Sequence, residues 1–211
     1  MKKALFLFLC FACVYAHAQE AVSLSHYVFT QFEPGKVLQK DGSVNETKLN
    51  YNVLSKEMIF EAKPNQYLAL AEPNKIDTVI IAGRKFVPVN NEFYELLTIQ
   101  PYPLLLQYTC TIKEPGSDIG YGMSSVTTAS PAIKSLIQSG GAYSLKLPDG
   151  FQVSTMNNYW VLANGKLQKA NNAKQLASAL PAVKDKINEL AKKNNTNFSK
   201  KDDIVKLVSQ L

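Results

Sequence analysis

The residue types that carry most enzymatic chemistry are nearly missing from this chain. Past residue 18 it holds one histidine, His26, one cysteine, Cys110, and one arginine, Arg84. Zinc and copper centres need several imidazole or thiolate ligands, so one of each, far apart in sequence, argues against a metal site. A Ser-His-Asp or Cys-His triad would have to recruit His26, which lies close to the chain start, where segments are often loosely held. The expectation is a solvated imidazole. Cys110 falls on the same strand face as Leu106, Tyr108 and Ile112, a setting that raises a thiol pKa and slows its chemistry. Paired carboxylates need no histidine to hydrolyse glycosides. Glu57 and Glu61 share a strand face, and Glu92 and Glu95 are close in sequence. Such spacings also arise by chance, and no catalytic residue is assigned. The run Gly116-Ser117-Asp118-Ile119-Gly120-Tyr121-Gly122 lacks the Lys-Ser/Thr of a P-loop, and no GxGxxG occurs, so neither a cofactor nor a metal is expected.

The N-terminus reads as a secretory signal. Lys2 and Lys3 precede an apolar run from Ala4 to Tyr15, and Ala16-His17-Ala18 supplies the small-x-small pattern for cleavage between Ala18 and Gln19. That run is too short for a bilayer span, which needs about 20 residues. The expected mature chain is therefore exported, not transmembrane, and without an internal disulfide. Acylation at Cys10 or Cys13 is the alternative, disfavoured by the bulky residues before each.

The elements that must position these groups are strands first and helices last. Val37 to Val44 brackets Asp41-Gly42, suited to a type I′ turn. Leu49, Tyr51 and Val53 alternate with Asn50 and Asn52, and Met58, Phe60 and Ala62 answer them as a second hairpin. Tyr67 to Ala71, Val79 to Ala82 and Lys85 to Val89 continue a meander. Leu104 to Lys113 is the clearest strand, with Cys110 turned inward. Residues 115–142 break the pattern and read as a Gly/Ser/Thr-rich loop or linker. After it come a strand at Tyr143 to Leu147 and a hairpin joined by Asn164-Gly165.

The period then changes. Ala173 to Leu180 suits one helix, and Pro181 opens a second with Val183, Ile187, Leu190 and Ala191 in a stripe. A third is capped by Ser199, with Asp202 completing a capping box before Ile204, Val208 and Leu211. The fold class is α+β: an antiparallel β-meander or rolled sheet, a short hairpin, then C-terminal α-helices. The division is 1–18 signal, 19–114 β-rich domain, 115–142 linker and 143–211 hairpin with helices.

Charge is uneven. Residues 19–165 carry 11 basic against 13 acidic side chains, whereas 166–211 carry 10 lysines against 4 acids. The tail has no arginine and few aromatics to stack on bases, so its lysines read as the wet faces of helices and no nucleic-acid partner is expected.

Several stretches together resemble a family. Pro34-Gly35-Lys36-Val37-Leu38 before Lys40-Asp41-Gly42, Leu49-Asn50-Tyr51-Asn52 with Glu57-Met58, and Arg84-Lys85-Phe86-Val87-Pro88-Val89 are similar to segments of uncharacterised exported proteins of Bacteroidota. So are Gly120-Tyr121-Gly122, Leu145-Lys146-Leu147-Pro148, Tyr159-Trp160 and Phe198-Ser199-Lys200-Lys201. The resemblance spans most of the expected mature chain. It implies a signal peptide, a sheet-rich body and terminal helices, and no assigned activity. Asp77-Thr78-Val79 fits the Asp-Ser/Thr-aliphatic pattern of periplasmic O-glycosylation in that phylum, which makes Thr78 a candidate acceptor.

The expected function is that of an exported, non-catalytic cell-envelope protein, periplasmic or secreted and peripheral to the outer membrane at most. It would act as a binding or accessory module for an envelope protein or glycan. The alternatives are a carboxylate-dependent hydrolase of envelope polymers, and a carrier whose rolled sheet holds an apolar ligand.

Overall fold

A computed structural model describes residues 24–113 and 137–211. The expected leader with Ala18 and Gln19, the glycine run at 116–122 and the larger part of the 115–142 segment lie outside the described residues. What is described is α+β: a ten-stranded antiparallel sheet with three α-helices near the C-terminus.

The alternating residues form the expected strands. β1 (Glu33–Gln39) and β2 (Val44–Asn52) flank Asp41-Gly42, while β2 and β3 (Glu57–Lys63) pair from Leu49↔Phe60 to Asn52↔Glu57. The first turn is not type I′, which needs positive φ at both central residues. Only Gly42 has it, at +88°. Asp41 keeps a negative φ, its carboxylate accepting from the Ser43 N–H at 2.8 Å, and the Gly42 N–H bonds back to Gln39 O at 3.1 Å.

β4 (Gln66–Ala69) forms the edge beside β3, and there the simple meander is interrupted. β5 (Ile76–Ile81) passes β4 and pairs with the free edge of β1, Val37 opposite Val79. Four residues of β4 offer little to pair with, whereas β1 lets Val79 and Ile81 bury completely. Strand β1 is tight between its neighbours: a Cβ on Gly35 would stand 2.6 Å from Ile80 O and 2.9 Å from Leu49 Cδ1, so only glycine fits. β6 (Arg84–Val89), β7 (Glu92–Thr98) and β8 (Leu104–Lys113) then follow as successive neighbours.

A small hairpin, β9 (Gln138–Ser139) with β10 (Ala142–Tyr143), forms a two-stranded sheet of its own that packs against β4. β11 (Gln152–Ala163) rejoins it, antiparallel to β8 from Gln152↔Lys113 to Val161↔Leu104. The strands on either side of 115–142 are thus neighbours in one sheet. β12 (Lys166–Lys169) turns back along β11 through Asn164 and Gly165, both at positive φ.

The helices are α1 (Ala173–Ala179), α2 (Lys184–Lys193) and α3 (Lys201–Val208). Asn172 caps α1 by accepting from the Gln175 N–H at 2.8 Å. Two local expectations fail. Pro181 begins a 3-10 turn, Pro181–Val183, rather than α2 itself. Ser199 is not the cap of α3: the capping position is Lys200, with no side-chain bond. The turn is held instead by Asn197, whose N–H donates to Asp203 Oδ2 at 3.0 Å while its Oδ1 accepts from Ser199 N–H at 2.9 Å.

Apolar side chains collect in two clusters on the inner sheet face. One, around Leu49, Tyr51, Met58, Ile81, Phe86 and Phe93, is roofed by the segment from Leu24 to Phe32. The other joins Leu104, Leu106, Tyr159 and Val161 to Leu176, Ile187, Ile204 and Leu207 of the helices. The apolar stripes of the tail are therefore docked, with Lys184, Lys186, Lys192 and Lys193 in solvent. Among the described residues no helix is long and apolar enough to cross a membrane.

Candidate functional site

The densest ionisable cluster lies where the two cores meet. Pairing of Phe86 with Glu95, and of Glu95 with Leu106, puts Arg84, Glu95 and Tyr108 on one face of adjacent strands. Glu95 is 3% exposed and would not be charged there alone. Arg84 grips it bidentately, Nε to Oε1 at 2.9 Å and Nη2 to Oε2 at 2.8 Å, and the Tyr108 hydroxyl donates to Oε2. Lys201 of α3 brings a second cation to 3.6 Å. Burial would raise the Glu95 pKa, but the Arg84 and Tyr108 hydrogen bonds reverse it, and the carboxyl is held below its usual range. The guanidinium is stacked on Phe29 at 4.7 Å and flanked by Phe86 and Tyr108. Burial pushes the Tyr108 phenol far upward, with the Glu95 charge adding to it. A carboxylate with both oxygens held this way is neither basic nor nucleophilic.

The other expected acid pairs are separated. Glu92 and Glu95, three apart on β7, point to opposite faces. Glu92 accepts from Lys56 Nζ at 3.0 Å and from Gln107 Nε2 at 2.6 Å, and Gln107 Oε1 accepts from the Trp160 indole at 3.2 Å. Glu57 accepts from the Tyr143 hydroxyl, whereas Glu61 pairs with Lys48 at 3.2 Å. Each acid of the two pairs thus has its own separate partner. Among the described residues no cluster of three or more His, Cys, Asp or Glu is placed to hold a metal.

Two of the three single residues behave differently from one another. Cys110 is buried as expected, its Sγ 3.8 Å from Val53 O, and burial raises its pKa to about 11. His26, expected to be solvated, is 0% exposed. Val53 N–H bonds to His26 O at 2.9 Å and Val28 N–H to Tyr51 O at 3.0 Å, which fastens the early segment across β2. Burial lowers the imidazole pKa to about 4, and the nearby Ser144 backbone offsets this only partly. Neither ring nitrogen makes a hydrogen bond of normal geometry. Tyr27 Oη, Asn52 Nδ2 and Ser55 Oγ nearby are likewise buried without a hydrogen bond of normal geometry.

The sequence also hid the role of Asn50. It alternates with the apolar side chains of β2, and its amide donates to Phe29 O at 2.8 Å and Gln31 O at 3.0 Å and accepts from Phe29 N–H at 3.1 Å. Asparagine repeating on a strand flanked by aromatics was the available signal. Thr78 lies in mid-strand on β5 opposite Leu38, its hydroxyl bonded to Asp77 Oδ2 at 2.9 Å. Compared with family models, curated proteins and solved structures, the chain matches none.

Proposed function

We propose that this chain is an exported, non-catalytic protein of the cell envelope that works as a binding or accessory module for an envelope protein or glycan. The observation that carries the reading is the Glu95 centre: the most buried carboxylate of the sheet is held by Arg84, Tyr108 and Lys201 as a structural ion cluster. The leader pattern at 1–18 and the resemblance to exported Bacteroidota proteins supply the location. Modification at Thr78 belongs to the same reading, with its mid-strand position limiting access to the folded protein.

The hydrolase alternative needs two carboxyls facing one substrate bond about 5–10 Å apart, and the separated partners of Glu57, Glu61, Glu92 and Glu95 weigh against it. The carrier alternative needs an unfilled interior, and Tyr51, Phe86 and Tyr159 occupy that space. The approach of Val53 to Cys110 and of Lys56 to Glu92 favours a sheet curled into a half-closed roll, followed by the short β11–β12 hairpin and the helices.

Two measurements test the proposal. N-terminal sequencing of native protein should find Gln19 first; a retained Met1 would overturn export. Crosslinking in the intact envelope should then trap a discrete partner, whereas turnover of an envelope polymer lost in Glu95→Gln with the fold preserved would favour the hydrolase.

A further inference from the structure

Strand β11 is twelve residues long, but β12 covers only its last four, Trp160–Ala163. From Gln152 to Asn158 its outer side pairs with no strand among the described residues. The direction of the backbone groups is fixed by their neighbours. Leu162 N–H bonds to Pro103 O at 3.0 Å and Met156 O accepts from Thr109 Oγ1 at 3.4 Å, so even-numbered residues face β8. Tyr159 N–H bonds to Asn171 Oδ1 at 2.6 Å and Tyr159 O accepts from Ala170 N–H at 2.9 Å, so odd-numbered residues face away. The N–H and C=O of Val153, Thr155 and Asn157 therefore point outward at the repeat of a strand, and Asn171 closes the row.

Bare edges of this length are normally guarded by lysine, proline, a bulge or a covering element. The register with β8 runs without a bulge, and β11 contains no charged residue, proline or glycine. The opposite edge strand, β4, is four residues long and has β10 against it. Beside the β11 edge lies a cleft of about 460 Å3 lined by Thr155, Met156, Asn157, Asn171, Phe198 and Ser199, without a single charge. Its apolar side chains are Phe198 and the exposed Met156.

We infer that the β11 edge from Gln152 to Asn158 takes an extended, uncharged peptide segment of a partner protein by strand addition, with one apolar side chain of that segment seated against Phe198. The inference rests on the binding-module reading and names its partner class. Main-chain bonds to Val153, Thr155 and Asn157 would hold the segment, and the cleft would select its side chain. A second copy of this chain fits less well. Seven paired residues fall short of the about 1,200 Å2 that a stable interface buries.

Amide-resolved hydrogen exchange tests this on the mature chain. The probe is a capped heptapeptide of alternating Thr and Val with a central Phe; the control is the same peptide N-methylated at alternate residues. At saturation the probe should slow exchange at Val153, Thr155 and Asn157 by on the order of tenfold or more, while the already paired Ser154, Met156 and Asn158 change little. The control should do nothing. Thr155→Pro removes an outward N–H that β8 does not use and should abolish the effect; Thr155→Lys serves if the proline variant does not fold. No slowing, equal slowing by the control, or outward amides already slow in the free protein would overturn the inference. Slowing that grows with protein concentration alone would replace the peptide by a second copy. If the peptide fails while envelope crosslinking still traps a partner elsewhere, strand addition falls and the module reading stands.

Discussion

At the helix-covered end of the sheet, buried charge is matched: Glu95 lies between Arg84, Tyr108 and Lys201, and Leu104, Leu106, Ile204 and Leu207 belong to the apolar core of that end. At the β2–β3 end the core is as apolar, but His26, Tyr27, Asn52 and Ser55 bury polar atoms without a hydrogen bond of normal geometry, against the Tyr159 and Thr196 hydroxyls at the helix end. A buried polar group without a partner forfeits about 1–3 kcal/mol, so the two ends carry unequal margins. Burial alone does not measure stability here; what the buried groups find there does.

The largest effect should come from stripping the first end. Deleting residues 172–211 bares the apolar side of Leu104, Leu106, Tyr159 and Val161, and the remaining chain should aggregate rather than melt cooperatively. A truncated protein with an unchanged melt would mean that the helices stabilise nothing. Next is Arg84→Ala, which leaves Glu95 buried with one distant cation and should lose about 3–5 kcal/mol in urea unfolding. The pair Arg84→Met with Glu95→Leu should recover most of that loss. A single variant within 1 kcal/mol of wild type, on the order of a routine surface change, would show the ion cluster to be idle.

The second end should respond to acid. The His26 imidazole titrates near 6.5 when unfolded and at about 4 when folded, so the unfolded chain takes up the proton first. Stability is complete above the unfolded value and declines as pH falls toward 4, by about 3 kcal/mol. Glu95 responds in the same direction but at lower pH: its depressed carboxyl keeps its contribution above the ordinary carboxylate range and loses it as pH falls through that range toward the lower folded value. Between these ranges only the His26 end should weaken, and His26→Phe should flatten the slope of urea midpoint against pH.

Much of the strand pattern was legible because alternation is local: Leu104 to Ile112 announced an inward Cys110. What covers a strand is not local. His26 reads as solvated, and Asn50 as no more than the alternate face of its strand, because nothing in their own sequence says that residues 24–32 fold back over β2. The pairing of β5 with β1 was hidden for the same reason, since neighbouring hairpins look alike until their free edges compete. The Arg84–Glu95–Tyr108 cluster was missed although each residue was in view, because a bidentate pair depends on register across three strands. Ser199 shows the opposite failure: a good local signal lost to Asn197 and Asp203, which close the same turn more fully.

Two smaller effects refine the contrast. Cys110→Ala should lower stability by about 1 kcal/mol, and with a pKa of about 11 the thiol should label slowly in native protein at neutral pH. Rapid labelling would mean that the strands around it open. Thr78→Ala should stay within about 0.5 kcal/mol of wild type by thermal unfolding, since its hydroxyl meets only exposed Asp77.

The inequality of the two ends is tested most directly by amide-resolved native-state exchange at pH 7 and at pH 5, with the intrinsic pH dependence of exchange divided out. The account predicts that at pH 5 the amides of Tyr51 and Val53 lose protection while those of Leu106 and Val161 keep theirs. Uniform loss along the sheet, or earlier loss at Leu106 and Val161, would contradict it.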